Sequence, residues 1–261
     1  MHFPMTLRSA SRLASRRRSA SGFSLAEMMV SLTIFSLLMG MIVEFSVESS
    51  KNMYLSEQKC TINKDMRNLT SQMSDDARDA NFFVMYSNYT MAARTTASQE
   101  LLQANSGDFL VLVTYGTPPS TLKFNIRPVA SIVGYYRAPY QTNQTVIDPI
   151  TGQAAVGLEP VRKFTLTVGN GLAANQYLLA TGSADLPAGG TATTLEALLP
   201  DASQATIDSH TIVVQLAQGL ADGCLFHNFW GKSVMLNGKI VQGNNDTSVH
   251  DTYNFTISPR G

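Results

Sequence analysis

The chain has 261 residues, 44% of them hydrophobic, enough to bury the core of one or two domains. Its formal charge of zero hides a segregation: Arg8, Arg12, Arg16, Arg17 and Arg18 precede Phe23 with no acid among them, leaving 14 basic against 19 acidic side chains from residue 23 onward. That remainder offers no basic surface for nucleic acid, and two cysteines, Cys60 and Cys224, are too few for a disulfide scaffold and have no zinc-knuckle spacing.

The first predicted element is an apolar helix. Phe23 to Val43 is 21 residues long, close to the roughly 20 that cross a bilayer, and its stretch from Met28 to Val43 is wholly uncharged. The upstream arginines hold the amino end in the cytoplasm and direct everything after Glu44 outward. A cleaved secretory signal peptide is the competing reading. Its cut would follow the apolar run, but the exit from Gly40 to Ser50 is interrupted by Glu44, Phe45 and Glu48. One acid, Glu27, stands inside the run. A carboxylate in hydrocarbon costs about 2.5 to 3.5 kcal/mol even on lenient scales, so Glu27 calls for a partner.

A basic leader ending in Gly22, then Phe23-Ser24-Leu25-Ala26-Glu27 and a long apolar run, resembles the prepilin signature of type IV pilins and of type II secretion pseudopilins. The resemblance implies that a prepilin peptidase cuts between Gly22 and Phe23 and N-methylates Phe23. It also makes Glu27 the acid of the motif. The freed amine of one subunit and the Glu27 carboxylate of a neighbour, each costly alone in hydrocarbon, then become a pair during filament assembly. Glycine before the cut suits an open chain in a peptidase cleft. Further implied partners are other pilin or pseudopilin subunits, an inner-membrane assembly platform and membrane lipid, with no cofactor. The implied location is a single inner-membrane pass with an extracytoplasmic carboxy-terminal domain, followed by the pilus or pseudopilus.

The helix continues past the membrane. No proline lies between Pro4 and Pro118, and Ile62, Met66, Leu69, Met73, Ala77 and Ala80 recur at steps of three and four. One helix from Phe23 to Ala80 would run about 87 Å. The polar interval from Glu48 to Lys59 is its exposed join, and Gly40 is its weak point. Lys64, Asp65, Arg67, Asp75, Asp76, Arg78 and Asp79 read as a solvated face. Four segments result: leader 1–22, membrane half 23–45, amphipathic half 46–80, and a β-rich extracytoplasmic domain 81–261.

After Ala80 the pattern becomes β. Asp108–Tyr115, Thr121–Arg127, Ile132–Arg137, Arg162–Val168, Thr211–Leu216, Cys224–Trp230, Ser233–Leu236, Lys239–Val241 and Thr252–Ser258 are short and rich in β-branched or aromatic residues. Asn237-Gly238 predicts a type I′ hairpin within Val234–Val241. The intervals 138–159 and 180–193 read as surface loops, and Thr194–Leu199 as a short helix. The fold class is α+β, a long amino-terminal helix packed on antiparallel sheet. The run from Asp75 to Ala80, the strand with Tyr135-Tyr136-Arg137, and the ending Phe255 through Pro259-Arg260 are similar to large minor pilins and J-type minor pseudopilins. The long loops also favour a minor over a major subunit.

Catalytic patterns are weak, and the chain reads as no enzyme. Ser56 and Lys59 have the spacing of a nucleophile and base without the accompanying segments. Gly231-Lys232-Ser233 lacks the earlier glycine of a phosphate loop. Cys224, His227, His210, His250 and Asp251 have no metal-ligand spacing. Asn244, Asn245 and Asp246 form an oxygen-rich stretch that offers calcium ligands, although turns prefer the same residues. Cys60 and Cys224 are open to one disulfide or two thiols. The alternative function is a signal-anchored extracytoplasmic binding or enzymatic domain.

Overall fold

The computed structural model describes residues 24–94, 100–101, 104–117, 127–138, 159–178, 186–219, 223–242 and 249–259. Its first element is the helix α1, Leu25–Asp79, unbroken over 55 residues. Gly40 has no neighbour within 4 Å of where a Cβ would stand and does not interrupt it. The chain divides into two compact units, Met1–Ser50 and Lys51–Gly261.

In the first unit, α1 presents Leu25, Met28, Met29, Leu32, Phe35, Leu38 and Ile42 outward, and it is long and apolar enough to cross a membrane. Two hydroxyls within the run are satisfied locally: Thr33 Oγ1 donates to the Val30 carbonyl at 2.8 Å and Ser36 Oγ to the Thr33 carbonyl at 2.9 Å. They therefore add no unpaired polar group to the apolar surface.

The second unit is built on a ten-stranded sheet. Its strands are β1 (Phe82–Tyr86), β2 (Ser106–Gly107), β3 (Phe109–Tyr115), β4 (Val129–Arg137), β5 (Glu159–Val168), β6 (Gly171–Leu172), β9 (Thr211–Gly219), β10 (Phe226–Phe229), β11 (Ser233–Gln242) and β12 (Val249–Ile257). The order is β1-β3-β4-β5-β9-β11-β10-β2, with β12 on β11 and β6 on β5. All pairings are antiparallel except β5 with β6. A separate parallel pair joins β7 (Gln176–Leu178) to β8 (Thr191–Thr193). The reading of 180–193 as loop is thus corrected at its end: Thr191–Thr193 pairs with a strand that its small-residue composition does not announce.

Both faces of the sheet are covered. Ile62, Leu69, Met73 and Ala77 of α1, with Ala80, pack against Leu110, Leu112, Tyr135, Val161, Leu236, Ile240 and Tyr253. On the opposite face Phe109, Val111, Val113, Ile132, Tyr136 and Phe164 lie under the short helices α2 (Leu195–Leu198) and α3 (Gln204–Ser209). Residues of one strand alternate between the two clusters, which is why β3 reads as a continuous apolar run instead of alternating with polar residues. Both short helices start on hydroxyl caps, Thr194 accepting from the Ala197 N–H and Ser203 from the Thr206 N–H.

The predicted hairpin at Asn237-Gly238 does not form. β11 runs straight through both residues, and β12 pairs with it in unbroken register from Val234↔Ile257 to Gln242↔Val249. Gly238 instead makes room for an aromatic ring: a Cβ there would fall 2.5 Å from the Tyr253 hydroxyl and 2.7 Å from its Cζ. Tyr253 is the cross-strand partner of Gly238, so the glycine marks a close approach, not a turn. The real turn joins β10 to β11 through Trp230 (φ 59°) and Gly231 (φ 66°), where Asn228 Oδ1 accepts the Gly231 N–H at 2.9 Å.

The charged face of α1 is also only partly solvated. Asp76 reaches the sheet, with Lys163 Nζ at 2.6 Å from Oδ2 and the Tyr135 hydroxyl donating to the same oxygen. Asp65 Oδ2 accepts from Gln242 Nε2 at 3.1 Å, whereas Asp75 and Arg78 pair on the exposed surface at 3.5 Å. The predicted strand at Thr121–Arg127 and most of 138–159 lie outside the described residues.

Candidate functional site at the start of the long helix

Helix α1 begins with its own anion-binding geometry. The first four N–H groups of a helix lack intrahelical acceptors, and here two of them are used by a reciprocal pair. The Ser24 N–H donates to Glu27 Oε2 at 3.0 Å, and the Glu27 N–H donates to Ser24 Oγ at 3.2 Å. This is a capping box, and it sets the Glu27 carboxylate against the positive end of the helix dipole. Glu27 remains exposed. The nearest partner of this acid is thus Ser24, and Ser24-x-x-Glu27 before an apolar run is the capping-box spacing that marks it in the sequence. Gly22 and Phe23 lie outside the described residues.

The other candidates do not converge on a second site. Ser56 and Lys59 are exposed on α1, and Gly231-Lys232-Ser233 forms the turn into β11. No disulfide joins Cys60, exposed on α1, to the half-buried Cys224. Asn244, Asn245 and Asp246 lie outside the described residues, and no metal-holding group of His, Cys, Asp or Glu occurs among those described. His227 Nδ1 is 2.5 Å from Ser106 Oγ across the β10–β2 pairing, while His250 and Asp251 are exposed on β12.

His210 is half-buried. Its Nδ1 is 2.5 Å from the Tyr136 hydroxyl and its ring lies 5.1 Å from that of Phe164. Burial, then the nearby Arg162 and Arg94 guanidinium groups, push its pKa down to about 4. Burial likewise raises the Tyr136 phenol, so both members of this pair are neutral. Three buried arginines complete the inner polar network. Arg137 binds Asp108 through Nε at 3.0 Å and Nη2 at 2.6 Å, Arg162 Nη1 donates to the Ile207 carbonyl at 2.7 Å, and Arg94 donates to the Pro200 carbonyl. Arg137 and Arg162 tie strands β4 and β5 to neighbouring loops or a short helix, and Arg94 ties one loop to another, which is structural work. The chemically distinctive feature left is the acid at the head of an exposed apolar helix.

Residues 17–43 match the family model of the prokaryotic N-terminal methylation motif, a span that contains Gly22, Phe23 and Glu27. No curated protein and no solved structure matches the chain.

Proposed function

We propose that this chain, a prepilin of the type IV pilin and pseudopilin family by its amino-terminal methylation motif and its pilin-like α+β layout, is a minor subunit of a type IV pilus or a type II secretion pseudopilus. A prepilin peptidase removes residues 1–22 and methylates the amine of Phe23. The subunit waits in the inner membrane as a single-pass protein with its amino end cytoplasmic and its β-rich domain outside. The assembly platform then moves it into a filament of related subunits, a structural and not an enzymatic role.

The observation that carries this reading is the position of Glu27, in the first turn of α1 and as the one charged residue of its apolar run up to Val43. A plain membrane anchor gains nothing from a carboxylate there. In a filament subunit the acid has two successive partners. Ser24 and the helix N-terminus hold it before assembly, and the Phe23 amine of a neighbour joins it afterward, so the acid is never unpaired in hydrocarbon. The length of the second unit and of its connecting segments supports a minor subunit over the main repeat.

The test is co-expression with a prepilin peptidase followed by mass measurement of the amino terminus. The expected product begins at methylated Phe23, and Gly22→Glu abolishes it. An intact leader, or a cut beyond Gly40, would replace this reading with that of a signal-anchored domain.

A further inference from the structure

We propose that the second unit self-associates through the open edge of β12, pairing antiparallel with β12 of a second copy about a two-fold axis centred on Tyr253. The inference concerns Lys51–Gly261 and goes beyond the proposed processing and filament role. β12 ends the sheet beside β11. Because β12 lies along β11 from Val234 to Gln242, β9 and β10 share the other side of β11, and no described strand pairs with the far side of β12.

Two hydrogen bonds fix which backbone groups face outward. The Asn237 N–H donates to the Leu225 carbonyl at 3.2 Å, on the β10 side of β11, so its neighbours Leu236 and Gly238 point to β12 and meet Phe255 and Tyr253 there. The intervening residues His250, Thr252, Asn254 and Thr256 therefore direct their N–H and C=O groups to the open edge. Consistent with this, the Thr252 N–H is taken by the Asp251 side chain, at 2.8 Å from Oδ1.

Natural sheets blunt such an edge with proline, lysine, bulges or short strands. This one has nine residues, no register shift against β11, no proline before Pro259 and no lysine. Asp251 is its only carboxylate. In an antiparallel pair of two β12 strands centred on Tyr253, Thr252 faces Asn254 and His250 faces Thr256, so all four outward residues of each strand find backbone partners once the Thr252 N–H exchanges Asp251 Oδ1 for the Asn254 carbonyl of the second copy. Val249 then faces Ile257, Asp251 faces Phe255, and Tyr253 faces itself. No like charges oppose each other; Val249, Tyr253, Phe255 and Ile257 extend the core-facing side, where the exposed Asp251 is the one charged residue, and His250, Thr252, Asn254 and Thr256 stay on the solvent side. A second copy thus fits the edge on both faces in one register. The contact is isologous and closes on itself, which sets it apart from the repeating contacts of a filament.

The test exploits the Thr252–Asn254 pairing. Both side chains are exposed, so exchanging them leaves the core intact. Sedimentation velocity of the full chain in detergent compares the unaltered protein, Thr252→Lys with Asn254→Lys, and Thr252→Lys with Asn254→Asp. The first double variant sets lysine against lysine twice across the axis, and the second sets lysine against aspartate twice. The unaltered chain is expected to show a concentration-dependent dimer, the lysine–lysine variant a dissociation constant at least tenfold higher, and the lysine–aspartate variant one no higher than the unaltered chain. Any association through α1 is common to all three proteins. A chain that stays monomeric at its highest soluble concentration, or two double variants that shift alike, would overturn the proposal. Either result leaves the Gly22–Phe23 processing assay unaffected.

Discussion

Glu27 performs two tasks that substitutions can separate, because one depends on hydrogen-bond acceptance and the other on charge. Its carboxylate accepts the Ser24 N–H at the head of α1, a contact that a glutamine side-chain oxygen can also make. Pairing with a neighbour's amine needs the negative charge. Glu27→Gln is therefore expected to keep the cap and normal peptidase processing but to be lost from filaments. Breaking a buried ion pair by neutralising one partner costs about 3 to 5 kcal/mol, so recovery in sheared filaments should fall at least about tenfold. Ser24→Ala makes the opposite change. It removes a hydroxyl cap worth about 1 kcal/mol while leaving the acid, and filament recovery should stay within a few-fold of the unaltered chain. Immunoblots of sheared filaments, with mass measurement of the amino terminus, separate the two. Equal losses for both substitutions would assign Glu27 to helix capping alone.

The joint between α1 and the sheet is the next level at which a single change has a predictable result. Asp76 sits on α1 one position before the buried Ala77, and its carboxylate gathers Lys163 of β5 and the phenol of Tyr135 of β4. Lys163 Nζ also lies 5.3 Å from the centre of the Tyr135 ring, so the three groups form one closed set. Burial first, then the hydrogen bond to Asp76 and its charge, raise the Tyr135 phenol and keep it protonated as the donor. Asp76→Ala leaves a mostly buried ammonium and a buried hydroxyl without their acceptor and should destabilise the second unit by about 2 to 4 kcal/mol. Asp76→Asn retains an acceptor for Tyr135 and should cost about half as much. Urea unfolding followed by near-ultraviolet circular dichroism measures both, and losses below about 0.5 kcal/mol, the size typical of a plain surface substitution, would make Asp76 an ordinary surface residue. This joint also shows where the sequence was readable. The stripe Ile62, Leu69, Met73 and Ala77 follows from helical spacing, and β3, β4, β5 and β9 follow from β-branched and aromatic runs, because both signals are local. Asp76 was hidden because one acid among the seven charged residues from Lys64 to Asp79 carries no mark of what faces it. Gly238 was misread for the same reason: Asn-Gly states a turn preference locally, and the ring of Tyr253, fifteen residues later, overrides it. The turn that does form uses Trp230, a residue type with no turn preference. Helix α3 was missed as well, since Gln204–Ser209 is too short to show a periodic pattern.

For the molecule as a whole, the inner titratable groups combine into a definite response to acid. His210 is held neutral by burial and by Arg162 and Arg94, with Asp201 opposing them, and its pKa of about 4 lies below the ordinary 6.5. The unfolded chain binds a proton at this residue between those two values while the folded chain does not, so the unfolded state is favoured as pH falls. The contribution of His210 is fully present above about pH 6.5 and is lost progressively down to about pH 4. Complete burial would make that loss about 3.4 kcal/mol for the shift involved; partial solvent screening reduces it to about 2 kcal/mol. Glu159, Glu100 and Asp65 act in the other direction. Burial raises all three above their ordinary values, so the folded state takes up their protons first and gains stability as pH falls through the carboxylate range. The two trends meet because histidine protonates in the unfolded chain at higher pH than the carboxylates do. Unfolding free energy should therefore decline from pH 7 to about pH 5 and then flatten, instead of falling steadily. His210→Asn removes the titrating group, and its stability should vary by less than about 0.5 kcal/mol over pH 5 to 7, although the loss of packing against Phe164 lowers the whole curve. Denaturant titrations at half-unit pH steps measure this. An unaltered slope in the variant would move the acid response from His210 to another group.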